Sequence, residues 1–408
     1  MLSALVLLIL AVLAACSTSN TILFSDPYIV EPLLEGIHSS RALHILVTNI
    51  DDNHHPDAIV IYLTNTGTIS GNNYARYSYK VLYDIAVGHK DWHGKHGFYP
   101  NRVIGHSPSY SPWAIRMRAA ESSTSFSCNG ITRNREETNN YHHGVSFATA
   151  DLDGNGRPEI ITVGAITGVH ADSYYCYSWR SCTTDEDGEE ECVRLYSIRN
   201  RSHIALRLQI VWNLGFDGSS ASQTGSASSV RYFQVNSVNN GHLNDNTRPS
   251  AIKVVPNGCD DNEDYDHLLY LYIANVRASF CFNNNLGIEL SSVSSSRTSP
   301  GTSHQYSAST LLGINGIDYI LSFGVSSTKN RWSITGGSSS GSYSSTASAL
   351  SDEYVGVGSY DFDGDGVDDV ITLQCSSSDH CELRHGLVFI PETGADSAHD
   401  ADFGYDFL

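Results

Sequence analysis

Three short loops in this sequence carry closely spaced oxygen-bearing side chains, the ligands that a hard divalent cation prefers. Each loop is nine residues long and places Asp, Asn or Glu at its first, third, fifth and ninth positions. Calcium takes roughly six to eight oxygen ligands, several of them carboxylates, so each loop predicts a calcium site. The predicted ligand sets are Asp361, Asp363, Asp365 and Asp369; Asp151, Asp153, Asn155 and Glu159; and Asn49, Asp51, Asn53 and Asp57.

The three loops differ in the charge that they offer to a cation. The loop that begins at Asp361 supplies four carboxylates, the loop at Asp151 supplies three and an amide, and the loop at Asn49 supplies two. Four carboxylates within nine residues would repel one another without a cation between them. The alternative is that these side chains bond to the backbone of their own turn. A fourth copy, from His242 to Ser250, has no carboxylate at the four positions, and we predict a metal-free turn there.

Glycine occupies the fourth and sixth positions of the two stronger loops, at residues 154, 156, 364 and 366. Glycine has no Cβ and therefore adopts the positive φ that folding nine residues around an ion requires. An EF-hand loop begins in the same way but needs Glu at its twelfth position, between two helices. Thr162 and Thr372 stand at that position, so the sequence excludes an EF-hand.

Each loop leads directly into an apolar segment rich in Val, Ile and Thr, which predicts a β-strand. The four copies begin at residues 49, 151, 242 and 361. Six units of 52 residues would fill the 312 residues between the first and the last of these positions. A unit of about 50 residues is the size of a four-stranded propeller blade. Degenerate copies are then expected halfway, at residues 79–88, 201–212 and 313–324. The prediction is an all-β fold, a β-propeller of about seven four-stranded blades, with six or eight blades as alternatives.

The pattern D-x-D-G-x-G-x-x-[DE] followed by apolar residues resembles the FG-GAP/VCBS repeat of integrin α-subunit propellers and of many bacterial surface proteins. The resemblance extends over residues 41–395, with two strong copies, two partial copies and degenerate copies between them. It implies a seven-bladed β-propeller, calcium bound in some blades, and a role in adhesion or extracellular recognition. It does not imply a single activity, because one fold hosts many functions.

The N-terminus has the pattern of an export signal. Residues 4–15 form an unbroken apolar run, shorter than a bilayer core of about 30 Å requires but typical of a signal peptide. We therefore assign residues 1–16 to a signal peptide, ending in ordinary secretory cleavage or in a lipobox-like sequence that would lipidate Cys16. Residues 17–40 form an N-terminal segment that could complete a blade, and residues 396–408 form an acidic tail or complete the last blade.

The eight cysteines after Cys16 predict the disulfide framework of an exported protein. Close spacing favours the pairs Cys375–Cys381 and Cys259–Cys281. The remaining four would pair among themselves, and they are Cys128, Cys176, Cys182 and Cys192. These four surround an acidic run at residues 185–191, for which we favour a solvated, disulfide-closed loop, with a protein contact as the alternative.

The composition narrows the class of partner. The chain has 44 Asp plus Glu against 24 Lys plus Arg, for a net charge of −20, which is poorly suited to neutralising the phosphates of a nucleic acid. No second apolar run predicts a transmembrane segment in the mature chain, and the sequence contains no H-E-x-x-H motif and no Walker loop that would indicate an enzyme. We expect a secreted or cell-surface, calcium-binding protein that recognises a protein or glycan, or its own copies. The alternatives are a carbohydrate-active lyase or hydrolase and a structural subunit of a surface fibre.

Overall fold

The computed structural model of the chain describes 25 stretches of sequence, and every structural statement below concerns these residues. They are 21–24, 28–30, 43–50, 56–69, 72–83, 85, 102–105, 113–116, 125–134, 145–165, 174–200, 203–212, 214, 226–227, 231–236, 249–259, 264–273, 276–295, 307–325, 330–336, 342–347, 354–362, 364, 366–377 and 380–389. The predicted signal peptide at 1–16, including Cys16, and the predicted tail at 396–408 lie outside them.

The described residues contain 27 β-strands and no helix, which confirms the predicted all-β fold. In chain order the strands are β1 (Thr21–Phe24), β2 (Tyr28–Val30), β3 (Leu43–Thr48), β4 (Asp57–Ile69), β5 (Asn72–Tyr83), β6 (Arg102–Gly105), β7 (Trp113–Arg116), β8 (Ser125–Cys128), β9 (Ile131–Asn134), β10 (Val145–Ala150), β11 (Glu159–Ala165), β12 (Tyr174–Thr184), β13 (Glu190–Asn200), β14 (His203–Trp212), β15 (Ser226–Ala227), β16 (Arg231–Asn236), β17 (Pro249–Val255), β18 (His267–Ile273), β19 (Val276–Phe282), β20 (Ile288–Ser295), β21 (Ser307–Ile314), β22 (Ile317–Val325), β23 (Asn330–Gly336), β24 (Ser342–Ala347), β25 (Tyr354–Tyr360), β26 (Asp369–Ser377) and β27 (His380–Phe389).

In the described residues these strands form five antiparallel sheets of four or five strands and two separate hairpins. Sheet 1 has the order β3-β4-β5, with β6 and β7 both on β5, and sheet 2 has the order β10-β11-β14, with β15 and β16 both on β14. Sheets 3 and 4 are the simple meanders β17–β20 and β21–β24. Sheet 5 has the order β25-β26-β27, and the N-terminal strands β1 and β2 complete it by pairing with β27. Both ends of the described chain therefore meet in one sheet.

The predicted cation loops occupy one position in this architecture, the turn between the first and second strands of a sheet. Residues 49–57 connect β3 to β4, residues 151–159 connect β10 to β11, and residues 361–369 connect β25 to β26. The degenerate copy at residues 313–324 also falls on such a turn, between β21 and β22. The segments 79–88 and 201–212 do not, because they fall on β5 and β14, the third strands of sheets 1 and 2. The prediction that new blades begin there is wrong, and the described residues hold five such sheets.

The sheets pack against one another in a cyclic order. The first strand of each sheet contacts the first strand of the next: β3 contacts β10, β10 contacts β17, β17 contacts β21, β21 contacts β25, and β25 contacts β3. Five apolar clusters follow the same order. They lie between sheets 1 and 2, 2 and 3, 3 and 4, 4 and 5, and 5 and 1. Each sheet thus buries apolar side chains on both faces, as in the run from Ile59 to Tyr62, where alternate residues belong to different clusters.

Four disulfide bonds join the eight cysteines of the described residues. The pairs Cys375–Cys381 and Cys259–Cys281 are both present, as their spacing suggested. The other four cysteines pair as Cys128–Cys176, between β8 and β12, and Cys182–Cys192, across the β12–β13 hairpin. Such a framework is typical of extracellular or secreted proteins. No helix in the described part of the chain is long and apolar enough to cross a membrane.

Candidate metal centre

The loop at residues 151–159 is held at both ends by the sheet that it interrupts. Ala150 at the end of β10 pairs with Glu159 at the start of β11, so the residues between them must reverse the chain. Gly154 and Gly156 do this with φ values of 71° and 80°. Gly364 and Gly366 have φ values of 78° and 85° in the loop at residues 361–369. The prediction that these four glycines adopt positive φ is confirmed.

Three of the predicted ligands in the 151–159 loop converge. One carboxylate oxygen from each of Asp151, Asp153 and Glu159 lies within 4.8 Å of the other two. Calcium–oxygen distances are about 2.4 Å, so oxygens that share one calcium ion lie within about 4.8 Å of each other. Asp153 is exposed, Asp151 is half-buried, and Glu159 is 2% exposed. The donor set and its spacing therefore fit a calcium ion at the surface of the loop.

Backbone hydrogen bonds orient the aspartates of this loop. Asp151 accepts the N–H of Asn155 at 3.1 Å and that of Gly156 at 2.9 Å, and Asp153 accepts the N–H of Asn155 at 3.1 Å. An ionised carboxylate has about four lone-pair sites, so these bonds leave capacity for a cation. The self-bonded turn, considered as the alternative to a metal site, is thus present and is compatible with metal binding.

Asn155, the fourth predicted ligand of the loop, is held differently. Its side-chain nitrogen donates to Asp153 Oδ2 at 2.9 Å, and its Oδ1 accepts the N–H of Arg157 at 2.8 Å. The amide oxygen of Asn155 thus accepts one backbone hydrogen bond and keeps a second lone pair.

Glu159 closes the loop by a hydrogen bond, and its buried carboxylate also faces the two aspartates. Its carboxylate accepts the N–H of Leu152 at 2.8 Å, which closes the loop onto the start of β11. Burial raises the pKa of Glu159 to about 7, the negative charges of Asp153 and Asp151 add to the rise, and the Leu152 N–H opposes it. A carboxylate that is disfavoured as an anion by its surroundings would be stabilised by a cation placed among the three groups.

The loop at residues 361–369 repeats part of this geometry. Asp361 accepts the N–H of Gly364 at 2.7 Å and that of Gly366 at 3.0 Å, and the second bond corresponds to the one from Gly156 to Asp151. Asp369, at the start of β26, is buried. Two predicted ligands, Asp363 and Asp365, lie outside the described residues.

Two contacts of this loop were not evident from the sequence. His385 Nε2 on β27 lies 3.1 Å from Asp369 Oδ2, and both side chains are buried. Asp368 forms two hydrogen bonds with Gly313, near the end of β21 in sheet 4. The Asp368 carboxylate accepts the Gly313 N–H at 2.6 Å, and the backbone N–H of Asp368 donates to the Gly313 carbonyl at 2.7 Å. The residues that these two contacts join are 16 and 55 positions apart in the sequence, so no local spacing could indicate them. They fix the loop against its own sheet and the neighbouring one.

The loop at residues 49–57 keeps the closing bond of the Glu159 loop. Asp57 is fully buried and accepts the N–H of Ile50 at 2.8 Å, as Glu159 accepts that of Leu152. Asn49 is half-buried, and the predicted ligands Asp51 and Asn53 lie outside the described residues. Residues 242–248 of the fourth copy also lie outside them.

Comparison with known proteins gives no family for this chain. No family model and no curated protein sequence matches it. Among solved structures, it is similar to AofleA from Arthrobotrys oligospora at 8% identity and a TM-score of 0.29, with 92% of each chain covered. It is similar to the NanB sialidase from Streptococcus pneumoniae at 10% identity and a TM-score of 0.29, over 88% of this chain and 59% of that one. The S. cerevisiae core factor gives 10% identity and a TM-score of 0.29, over 96% and 65%. Scores this low carry no argument about fold or function.

Proposed function

We propose that this protein is an exported, calcium-binding β-propeller that acts as an extracellular recognition or adhesion module. The observation that carries the proposal is the convergence of Asp151, Asp153 and Glu159 in a loop whose glycines hold positive φ. The same loop pattern recurs at residues 361–369, at the same point of another sheet. Repetition of one acidic turn favours a common ligand, and the chemistry of the turn favours calcium.

The proposed propeller has five blades, one for each sheet. The cyclic contacts of β3, β10, β17, β21 and β25 support this arrangement, with these strands innermost. The five apolar clusters between successive sheets support it as well, because neighbouring propeller blades pack face to face. Sheet 5 combines N-terminal and C-terminal strands and so would close the ring by hydrogen bonds.

Calcium in this proposal stabilises turns and takes no part in catalysis. Asp151, Asp153 and Glu159 would hold one ion, and Asp361, Asp363, Asp365 and Asp369 would hold another. Each ion would neutralise carboxylates that the fold crowds together between the first two strands of a blade. The recognition role is favoured because propeller scaffolds carry variable connections, and binding residues concentrate on such connections.

The proposal is tested by two measurements on the purified protein. Isothermal titration of chelator-treated protein with calcium should give at least one specific site for the 151–159 loop. Retention on an array of extracellular proteins and glycans should then identify a ligand that is bound without being altered. Absence of calcium uptake would contradict the metal assignment. Turnover of an arrayed glycan, lost on substitution of a histidine, would replace the recognition module by the enzyme alternative.

A further inference from the structure

The longest hairpin outside the five sheets is an insertion within sheet 2, among the residues that the structure describes. Strands β12 and β13 lie between β11 and β14 in the chain and pair only with each other, from Tyr174↔Asn200 to Thr184↔Glu190. Each strand has 11 residues, which at about 3.4 Å per residue corresponds to a length of about 37 Å. The hairpin is thus long enough to present a surface of its own.

One face of this hairpin carries a group of apolar and aromatic side chains. Trp179 is opposite Leu195, and Val193 follows two residues from Leu195, so all three project from the same face. Tyr177 stacks on Trp179 with ring centroids 5.6 Å apart, and the guanidinium of Arg199 lies 3.6 Å from the centre of the Tyr177 ring. We call these five residues the hairpin row.

Four of the five residues of the hairpin row are exposed, and the fifth, Tyr177, is half-buried. Trp179 is 38% exposed, Leu195 is 40% exposed, and Val193 is 55% exposed. A fourth exposed apolar residue, Ile131, lies on the β8–β9 hairpin, which packs against β13. Of the six large apolar residues that are exposed in the described part of the chain, four belong to this pair of hairpins. Clustering of this kind marks an interaction surface in a soluble protein.

Disulfide bonds brace the hairpin from the other face. Cys182 and Cys192 are register partners, and their positions alternate with those of the hairpin row, so the bond lies on the opposite side. Cys176 projects to that same side and ties the hairpin to Cys128 of β8. The row is therefore held in place and left uncovered. A surface that is already ordered loses less conformational entropy when it binds.

The tip next to the row is strongly acidic. Six of the seven residues from 185 to 191 are Asp or Glu, and all of them are exposed. The tip is an ordered turn, since Asp185 accepts the N–H groups of Asp187 and Glu189 at 3.1 and 2.8 Å. A second copy of this chain would bring an equally acidic tip and a net charge of −20, which opposes self-association through this face.

We propose that the hairpin row and the acidic tip together dock a basic protein segment, one that presents apolar side chains flanked by Lys or Arg. Apolar contacts with Trp179 and Leu195 would supply affinity, and the tip would select the charge of the partner. The proposal deepens the recognition role proposed above by naming its surface and the chemistry of its partner. It does not involve the calcium loops.

The test selects displayed random peptides on the calcium-loaded protein and measures the affinity of synthetic copies by fluorescence anisotropy. Selected peptides should combine Lys or Arg with aromatic or aliphatic residues, and a scrambled peptide of the same composition should bind less tightly. Trp179→Ala should weaken binding by about tenfold or more. Glu186→Lys combined with Asp187→Lys should also weaken it and reduce its dependence on salt. The matched control is Leu290→Ala, which alters an exposed apolar residue on β20 and should leave affinity unchanged.

Several results would overturn the assignment. Peptides without basic residues, or equal affinity for Trp179→Ala at an unchanged melting temperature, would remove the docking role. Sedimentation that shows a dimer lost on Trp179→Ala would identify a second copy as the occupant. Glycan binding lost on the same change would identify a glycan. Peptide affinity is then measured again in EDTA. If the protein binds peptide but takes up no calcium, the proposed metal centre alone is contradicted. If it takes up calcium but binds no peptide, this inference alone is contradicted.

Discussion

Replacing Glu159 by Gln should abolish the calcium response of the 151–159 loop and preserve the loop itself. Gln has nearly the same shape, and its side-chain oxygen can still accept the Leu152 N–H that Glu159 accepts at 2.8 Å. Gln lacks the negative charge that burial disfavours. The same burial raises the pKa of Glu159 to about 7. Without calcium the variant should therefore melt at or above the temperature of the unsubstituted protein. With calcium, it should gain less.

The expected size of the effect follows from ligand linkage. A site saturated at a hundred times its Kd stabilises the fold by about 2.7 kcal/mol. Unfolding entropy is about 2.1 cal/mol/K per residue, so for a chain of 408 residues that free energy corresponds to a rise of about 3 °C in melting temperature. Glu159→Gln should lose this increment. Scanning fluorimetry at pH 8, where Glu159 is ionised, in EDTA and across a calcium titration measures it.

The matched control is Asp187→Asn, which removes the same charge from the exposed acidic tip of the β12–β13 hairpin. It should keep the full calcium response. The reasoning is refuted if Glu159→Gln responds to calcium as the unsubstituted protein does, or if neither protein responds. Either result would mean that residues 151–159 form a turn held by its own hydrogen bonds.

Three further predictions concern the backbone and the pH dependence. Gly366→Ala should destabilise the fold by about 1–2 kcal/mol in urea unfolding, because its φ is 85° and an added Cβ meets only Asn315, at 3.9 Å; a neutral result would mean that the positive φ is not required. Gly358→Ala should destabilise it by about 1–3 kcal/mol in the same assay, because the Cβ would lie 3.0 Å from the carbonyl oxygen of Ile45 and push sheet 5 from sheet 1; unchanged stability would contradict that contact. In EDTA, the stability of the unsubstituted protein relative to Glu159→Gln should be highest below about pH 4.5 and should fall as the pH rises to about 7, because folding raises the pKa of this carboxyl; a flat difference would contradict the raised pKa.

The local features of the predicted cation loops could be predicted from the sequence because their causes are local. The need for positive φ at Gly154 and Gly156 and the placing of a β-strand after the loop both depend on residues a few positions apart. The convergence of Asp151, Asp153 and Glu159 follows from the same nine residues. These are the parts of the site that the structure reproduces.

The count of sheets could not be predicted, because burial on both faces makes third strands as apolar as first strands. Strands β5 and β14 therefore looked like the starts of new units. The insertion of residues 174–200 lengthened the second unit, so the interval of 91 residues from Asp151 to His242 did not indicate two units. The proximity of His385 to Asp369 depends on the pairing of β26 with β27, which spacing alone does not specify.

The ninth position of the loop explains how copies can differ in metal binding and keep the same turn. In two loops the carboxylate at this position accepts the backbone N–H of the second residue, at Ile50 and at Leu152, and this bond requires no cation. The turn therefore needs no cation to form, and in the function proposed above a bound calcium ion would add stability without creating the fold. At the first position Asn49 stands in place of Asp151, which replaces a carboxylate ligand by a neutral amide and leaves the closing bond of Asp57 intact. The 49–57 loop should therefore bind calcium more weakly than the 151–159 loop while both turns persist. Asn49→Asp should raise the calcium affinity of the weaker loop, which a calcium titration of this variant measures.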